Sequence, residues 1–111
     1  MTITVKNIIP AKVAEATQQT QYQAVNCKLK IDKFTVTNTS TENVTFSCNL
    51  VPPNDTAGPT NLIIKARAIA PNETYTCPEL TGQSLESNGV ISTIASAADS
   101  LVICASGREI T

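Results

Sequence analysis

A chain of 111 residues with 41% apolar and 15% charged side chains has material for one folded core and no second domain. The net charge is −1, no basic block occurs and aromatics are 4%, so binding nucleic acid through phosphates or base stacking is poorly supported. No run approaches the roughly 18 consecutive apolar residues of a membrane-spanning helix.

The opening, "MTITVKNIIP", has no charged segment followed by an apolar one, which predicts no secretory signal and a chain that stays where it is made. Its "TITV" has the β-branched composition of a strand, and Ile3 and Val5 suit pairing with another strand. "NIIPAKVAEATQQTQYQAV", Asn7 to Val25, has no glycine and a run of Gln and Thr. Residues 10–20 carry the only helical signal, with Pro10 suited to a first turn and "AKVAEA" favouring helix. Two readings stand for residues 1–20. They form an arm, mobile in an isolated copy, that lies against a partner through Ile8, Ile9, Val13 and Tyr22; or they pack on the chain's own sheet as an edge strand.

From Cys27 onward the pattern is strand nearly throughout. In "CKLKIDKFTVTNTS", Leu29 and Ile31 share one face, but Phe34 and Val36 continue out of phase. One extra residue must therefore sit near Asp32 or Lys33, as a bulge. "NVTFSCNLV" alternates, with Val44, Phe46, Cys48 and Leu50 inward. "VPPNDTAGPTN" is a loop, because its prolines cannot donate to a ladder. "LIIKARAIA" places Ile63, Lys65, Arg67 and Ile69 on an outward face. "TYTCPEL" is short and extended. "SLESNGVISTIAS" contains Asn-Gly, a hairpin signal. "DSLVICASGREIT" closes the chain with Leu101, Ile103 and Ala105 on one side. Short strands at this spacing predict an all-β sandwich of jelly-roll or immunoglobulin-like type with about seven or eight strands. The absence of tryptophan disfavours the immunoglobulin version.

The chemistry is sparse. With no histidine, Ser-His-Asp and Cys-His machinery is excluded, and no phosphate-binding glycine motif occurs. Cys27, Cys48, Cys77 and Cys104 are widely spaced without a CxxC, which predicts reduced buried thiols rather than zinc ligands or disulfides. The Asn-X-Ser/Thr triplets at Asn38, Asn43, Asn54 and Asn72 read as turns, with Thr opening the next strand. Glu73, Glu79 and Glu86 are the carboxylates from which a glycosidase pair could be drawn, and solvated loop acids are the commoner case. No catalytic, metal or cofactor residues are predicted.

"IDKFTVTNTS", "LIIKARAIAPNETYTCPEL" and the closing "ASGREIT" resemble a family of small β-sandwich structural proteins of tailed bacteriophages, above all the capsid decoration (staple or cement) proteins of epsilon15-like short-tailed phages. The likeness spans about Gln21 to Thr111. It implies a jelly-roll-like sandwich over residues 21–111 with an extended N-terminal arm over 1–20. It implies a virion protein, made in a bacterial cytoplasm, that sits on the outer head surface. There it would staple major capsid subunits together and pair as a homodimer, with no nucleic acid, membrane or small-molecule substrate. Related sandwiches occur in phage necks and tails, and a carbohydrate-binding module is a further alternative. The expected contact residues are Ile3, Val5, Ile8, Ile9, Val13 and Tyr22 from the arm, and Ile63, Lys65, Arg67 and Ile69 from the outward face.

If the four cysteines are reduced, reductant leaves the melting temperature unchanged. A fall of many degrees would instead reveal structural disulfides, since losing one typically costs about 2–5 kcal/mol.

Overall fold

A computed structural model describes residues 1–111. It contains no helix. Nine strands run in order: β1 (Ile3–Val13), β2 (Gln19–Gln23), β3 (Lys28–Asn38), β4 (Val44–Val51), β5 (Leu62–Ile69), β6 (Thr74–Tyr75), β7 (Ser84–Leu85), β8 (Val90–Ala95) and β9 (Leu101–Ile110). One sheet has the order β1-β9-β3-β6, with β7 also on β3; the other has the order β2-β8-β4-β5. All pairings are antiparallel. The chain crosses repeatedly from one sheet to the other, giving a jelly-roll-like β-sandwich.

The core lies between the sheets because each long strand turns its apolar residues the same way. On β9, Leu101, Ile103 and Ala105 are buried, as their spacing requires. On β3, Leu29 and Ile31 are buried, and so are Phe34 and Val36, one position out of phase with them. The register shows why: Ile31 faces Gly107 and Lys33 faces Ser106, so β3 carries one extra residue there. The bulge predicted near Asp32 or Lys33 is present. Gly107 stands against it, and a Cβ at that position would come within 2.4 Å of the Lys30 carbonyl oxygen. Across the sandwich the Phe34 ring meets Phe46 of β4 with centroids 6.0 Å apart. Sulfur chemistry plays no part in this packing: all four cysteines are free, with Cys27, Cys48 and Cys77 buried.

Several expectations are corrected. Residues 3–13 form the edge strand β1, paired with β9, and the helix expected over 10–20 is absent. Tertiary pairing overrides the helical preference of "AKVAEA", because Ile8 and Ile9 reach the core only from a strand. Pro10 costs nothing at a sheet edge, where its missing N–H has no ladder partner to lose. On β4, Val44, Phe46 and Cys48 face in and the half-buried Leu50 packs against the same core, as expected, but Asn49 is buried as well. The loop after β4 folds over the outer face there, and Asn49 Nδ2 donates to Gly58 O at 3.0 Å and Asn61 Oδ1 at 2.7 Å. On β5 the alternation breaks at Ala66, whose φ is 46°. The partner register skips a residue between Ile64 and Arg67, so Ile69 turns into the core instead of outward. Asn88-Gly89 makes a tight turn, with Gly89 N donating to Glu86 O at 2.8 Å, but it joins two sheets rather than forming a hairpin.

The Asn triplets behave as turn chemistry. Asn54 and Asn72 adopt positive φ, which Asn tolerates. Asn38 is fully buried and ties three segments together: its Nδ2 donates to Glu42 O and Ile69 O, both at 2.8 Å, and its Oδ1 accepts from Ser40 N at 2.9 Å.

Phe46 is fully buried between the sheets. Phe46→Ala is expected to cost about 3–5 kcal/mol through lost burial and the cavity left behind. Denaturant unfolding measures it, and a change of under about 1 kcal/mol would mean the core can close over the gap.

Candidate interaction surface

A sandwich of this topology has four sheet edges, each a row of backbone groups able to pair with another chain. Three are blunted. On the far side of β3, β6 and β7 are two residues each. The β2 edge is five residues long and broken by a register shift between Thr20 and Tyr22. The β5 edge carries the Ala66 bulge and the charges of Lys65 and Arg67. Such interruptions and charges are the usual guards against edge-to-edge association.

The fourth edge, β1, differs along its length. Register shifts between Lys6 and Ile9, and between Ile9 and Lys12, irregularise its second half. From Ile3 to Lys6 the register with β9 is continuous: Ile3 faces Ile110, Thr4 faces Glu109, Val5 faces Arg108 and Lys6 faces Gly107. Ile3 is 52% exposed and Val5 80%, both on the sheet's outer side, with the 96% exposed Met1 just before them. No other edge combines a continuous four-residue register with two exposed apolar β-branched side chains.

The inner side of this segment is anchored by a polar cluster between the sheets. Tyr22 of β2 donates its hydroxyl hydrogen to Glu109 Oε2 at 2.5 Å, and Lys6 Nζ lies 3.5 Å from Glu109. The hydroxyl is also 3.9 Å from Cys27 Sγ. The Tyr22 bond holds the Glu109 carboxyl below the usual carboxylate range, against a smaller opposing effect of burial, with help from the Lys6 charge. Burial, then the Glu109 carboxylate, pushes the Tyr22 phenol far up. A similar stitch closes the opposite flank. Arg67 lies over the Tyr75 ring at 4.3 Å from its centroid, and the Tyr75 hydroxyl donates to Glu79. Burial first, then Glu79, raises the Tyr75 phenol to about 12.

The ten residues expected to make contacts therefore separate. Ile8, Ile9, Tyr22 and Ile69 are buried in the chain's own core and offer no surface. Ile3, Val5 and Val13 are exposed along β1. Ile63 is 36% exposed, and Lys65 and Arg67 are exposed, but the bulge separates Arg67 from Ile63 and Lys65 and turns it toward Tyr75. The expected outward face of β5 is thus not continuous. Sequence reasoning missed Glu109 and its bond to Tyr22; the residues lie 87 positions apart, and no local signal joins them.

The three acids considered for catalysis are engaged separately: Glu79 with Tyr75, Glu73 with the Ala70 N–H at 2.8 Å, and Glu86 with Lys28 at 3.5 Å. Bonding to Tyr75 lowers the Glu79 carboxyl, the opposite of what a general acid needs. Shallow grooves of about 290 and 340 Å³ lie on the outer face of the β2-β8-β4-β5 sheet. No aromatic side chain lines them, and Gln18 Nε2 on their shared wall already donates to Ser92 Oγ at 2.7 Å. No group of three or more His, Cys, Asp or Glu residues is close enough to hold a metal ion.

No protein-family model and no curated protein matches the chain. Among solved structures, the chain is similar to one in the structure of infectious bursal disease virus Gx strain, with a TM-score of 0.50 and 16% identity. It is also similar to one in the crystal structure of the infectious bursal disease virus VP2 subviral particle, with a TM-score of 0.51 and 14% identity. Each match covers 98% of this chain and 33% of the other, so the chain spans a third of the length of these neighbours. At such identities the likeness is one of fold.

The Tyr22–Glu109 bond gives a signed prediction. A carboxylate lowered in the folded state contributes stability above the unfolded carboxylate range, about pH 4.3, and loses it as pH falls through the folded value. Glu109→Gln is therefore less stable than wild type at neutral pH, and the gap narrows as the pH falls below about 4. Urea midpoints across that range measure it; a gap independent of pH would show that the bond does not depend on the charge.

Proposed function

We propose that the chain is a non-enzymatic structural protein of a virus particle that binds the outside of a phage head and staples neighbouring major capsid subunits. The observation that carries this reading is the open, regular β1 edge with Ile3 and Val5 exposed, on a sandwich whose other edges are blunted. An unguarded apolar edge is an aggregation hazard for a free protein, so its retention argues for an occupant. Two further points support the reading. The fold is shared over 98% of the chain with chains from a virus and a subviral particle. The segments "IDKFTVTNTS" and "ASGREIT" resemble phage decoration proteins, and they form β3 and β9, the two strands that hold the larger sheet together.

A stapling protein works by adhesion repeated around a shell. Each contact can be weak, because many copies act together and loss of one leaves its neighbours bound. Burying Ile3 and Val5 contributes up to about 1.5–3 kcal/mol each, and backbone bonds add the directional part.

Deleting residues 1–20 does not isolate this role, because it removes Ile8, Ile9 and Ala14 from the core and uncovers β9. Introducing charge at the exposed edge residues does. The double variant Ile3→Asp/Val5→Asp is expected to co-sediment with undecorated heads at least about tenfold more weakly than wild type, and the heads to lose heat resistance with it. Lys65→Glu, on the blunted edge, is expected to bind as wild type does. If the double variant binds as tightly as wild type and Lys65→Glu does not, the contact lies on β5.

A further inference from the structure

We infer that the Ile3–Lys6 edge is built to pair with the same edge of a second copy of this chain, antiparallel and centred on Thr4. This rests on the structural reading above and deepens it: the occupant of the β1 edge is a second copy, and pairing joins two head-binding subunits, so Ile3→Asp/Val5→Asp weakens binding to heads through lost avidity.

Thr2 N donates to Thr111 O at 3.0 Å, and Thr111 N donates to Thr2 O at 2.9 Å. Thr2 and Thr111 therefore form a hydrogen-bonded pair. In an antiparallel ladder such pairs alternate with non-bonded ones. With the register continuous from Ile3 to Lys6, Thr4 and Lys6 point their N–H and C=O groups at β9. Ile3 and Val5 then point theirs away, toward the free edge, because β1 is the last strand of its sheet. The residues with the exposed apolar side chains are thus also the ones with unpaired backbone groups.

The sequence about Thr4 is nearly symmetric over its immediate neighbours, Ile3-Thr4-Val5, all three β-branched. Set antiparallel about Thr4, Ile3 of one copy lies opposite Val5 of the other. Those residues carry the outward amides and carbonyls, so each pair exchanges both hydrogen bonds. Ile3 and Val5 from both copies then adjoin on the outer face as β-branched cross-strand pairs, and Lys6 meets Thr2 rather than another cation. A register centred on Val5 sets Ile3 against Asn7, where β1 leaves its regular register. A register centred on Ile3 sets Val5 against Met1, beyond the first residue of the strand. The centre at Thr4 alone keeps both outward residues paired within the regular segment. Two copies so joined would run their larger sheets into one across the two-fold axis, an isologous contact that closes and cannot grow into a fibre.

Parity supplies a clean variant. Val5→Pro removes an N–H that β9 does not use, whereas Thr4→Pro breaks the β1–β9 ladder. The two copies meet at Thr4 as a non-bonded pair, with Cα atoms about 4.5 Å apart, inside the range of about 4.4–6.8 Å that a disulfide spans. In a Cys104→Ser background, Thr4→Cys, Ile3→Cys and Val5→Cys are oxidised with diamide, which takes up the two thiol hydrogens as the sulfur–sulfur bond forms. Sedimentation equilibrium of the protein alone follows the association. The expected results are a concentration-dependent dimer, association at least about tenfold weaker in Val5→Pro with the melting temperature retained, and cross-linking fastest in Thr4→Cys. A protein that stays monomeric at every concentration overturns the inference, and so does cross-linking fastest at Ile3→Cys or Val5→Cys. A monomer whose binding to heads still falls in Ile3→Asp/Val5→Asp would overturn the self-pairing alone; a dimer with the Thr4 register that ignores heads would overturn only the stapling role.

Discussion

Strand β9 is bonded on both sides, and the larger sheet depends on that. It pairs with β3 from Asn38 to Lys28 and with β1 from Val13 to Ile3, so neither neighbour reaches the other without it. Its inward residues shrink along the strand, from Leu101 and Ile103 through Ala105 to Gly107. The small end is where β3 bulges, and the missing Cβ of Gly107 leaves room for the Lys30 carbonyl. Beyond Gly107 the inward position is Glu109, which a purely apolar core could not accept. Tyr22 from the other sheet satisfies it, and Lys6 from β1 offsets its charge. One strand thus determines the register of β1, the position of the bulge and the closure of the sandwich at that end.

The open edge follows from the same strand. Because Thr111 takes the backbone groups of Thr2, and β9 those of Thr4 and Lys6, those of Ile3 and Val5 are left facing outward. The guards on the other edges have local costs. Ala66 adopts a left-handed conformation that residues other than Gly, Asn and Asp seldom take, and it is held by a bond from its N–H to Ser47 Oγ at 2.8 Å. The strain at Ala66 on β5 contrasts with the continuous, unstrained register of β1 from Ile3 to Lys6. The structural role proposed above would need no more chemistry than directional backbone bonds, a small apolar strip and repetition.

Much of the fold was legible in the sequence where the signal was local. The phase slip between Ile31 and Phe34 located the β3 bulge, and the alternation of Leu101, Ile103 and Ala105 gave the inner face of β9. The misreadings share a cause in long-range pairing. "AKVAEA" has helical composition, yet its backbone is claimed by a strand about ninety residues away. Asn88-Gly89 makes the turn its chemistry dictates, but which sheets it joins is set elsewhere. The β5 alternation is regular on paper, and only the pairing with β4 inserts the slip at Ala66. The interaction edge was half legible. Ile3 and Val5 stood out by composition, but their outward backbone parity is fixed by Thr2 and Thr111, at opposite ends of the chain. Ile8, Ile9, Tyr22 and Ile69 were expected at a contact surface because apolarity alone does not distinguish a core residue from a sticky one.

The central claim is that β1 is bonded to β9 along one side and open along the other. Residue-resolved amide hydrogen exchange on dilute protein tests it most directly. The account predicts slow exchange at Thr4 and Lys6, fast exchange at Ile3 and Val5, and slowing of Ile3 and Val5 as the protein concentration rises. Fast exchange at all four amides would show that β1 does not dock on β9, and slow exchange at Ile3 and Val5 in dilute protein would show that the edge is already covered.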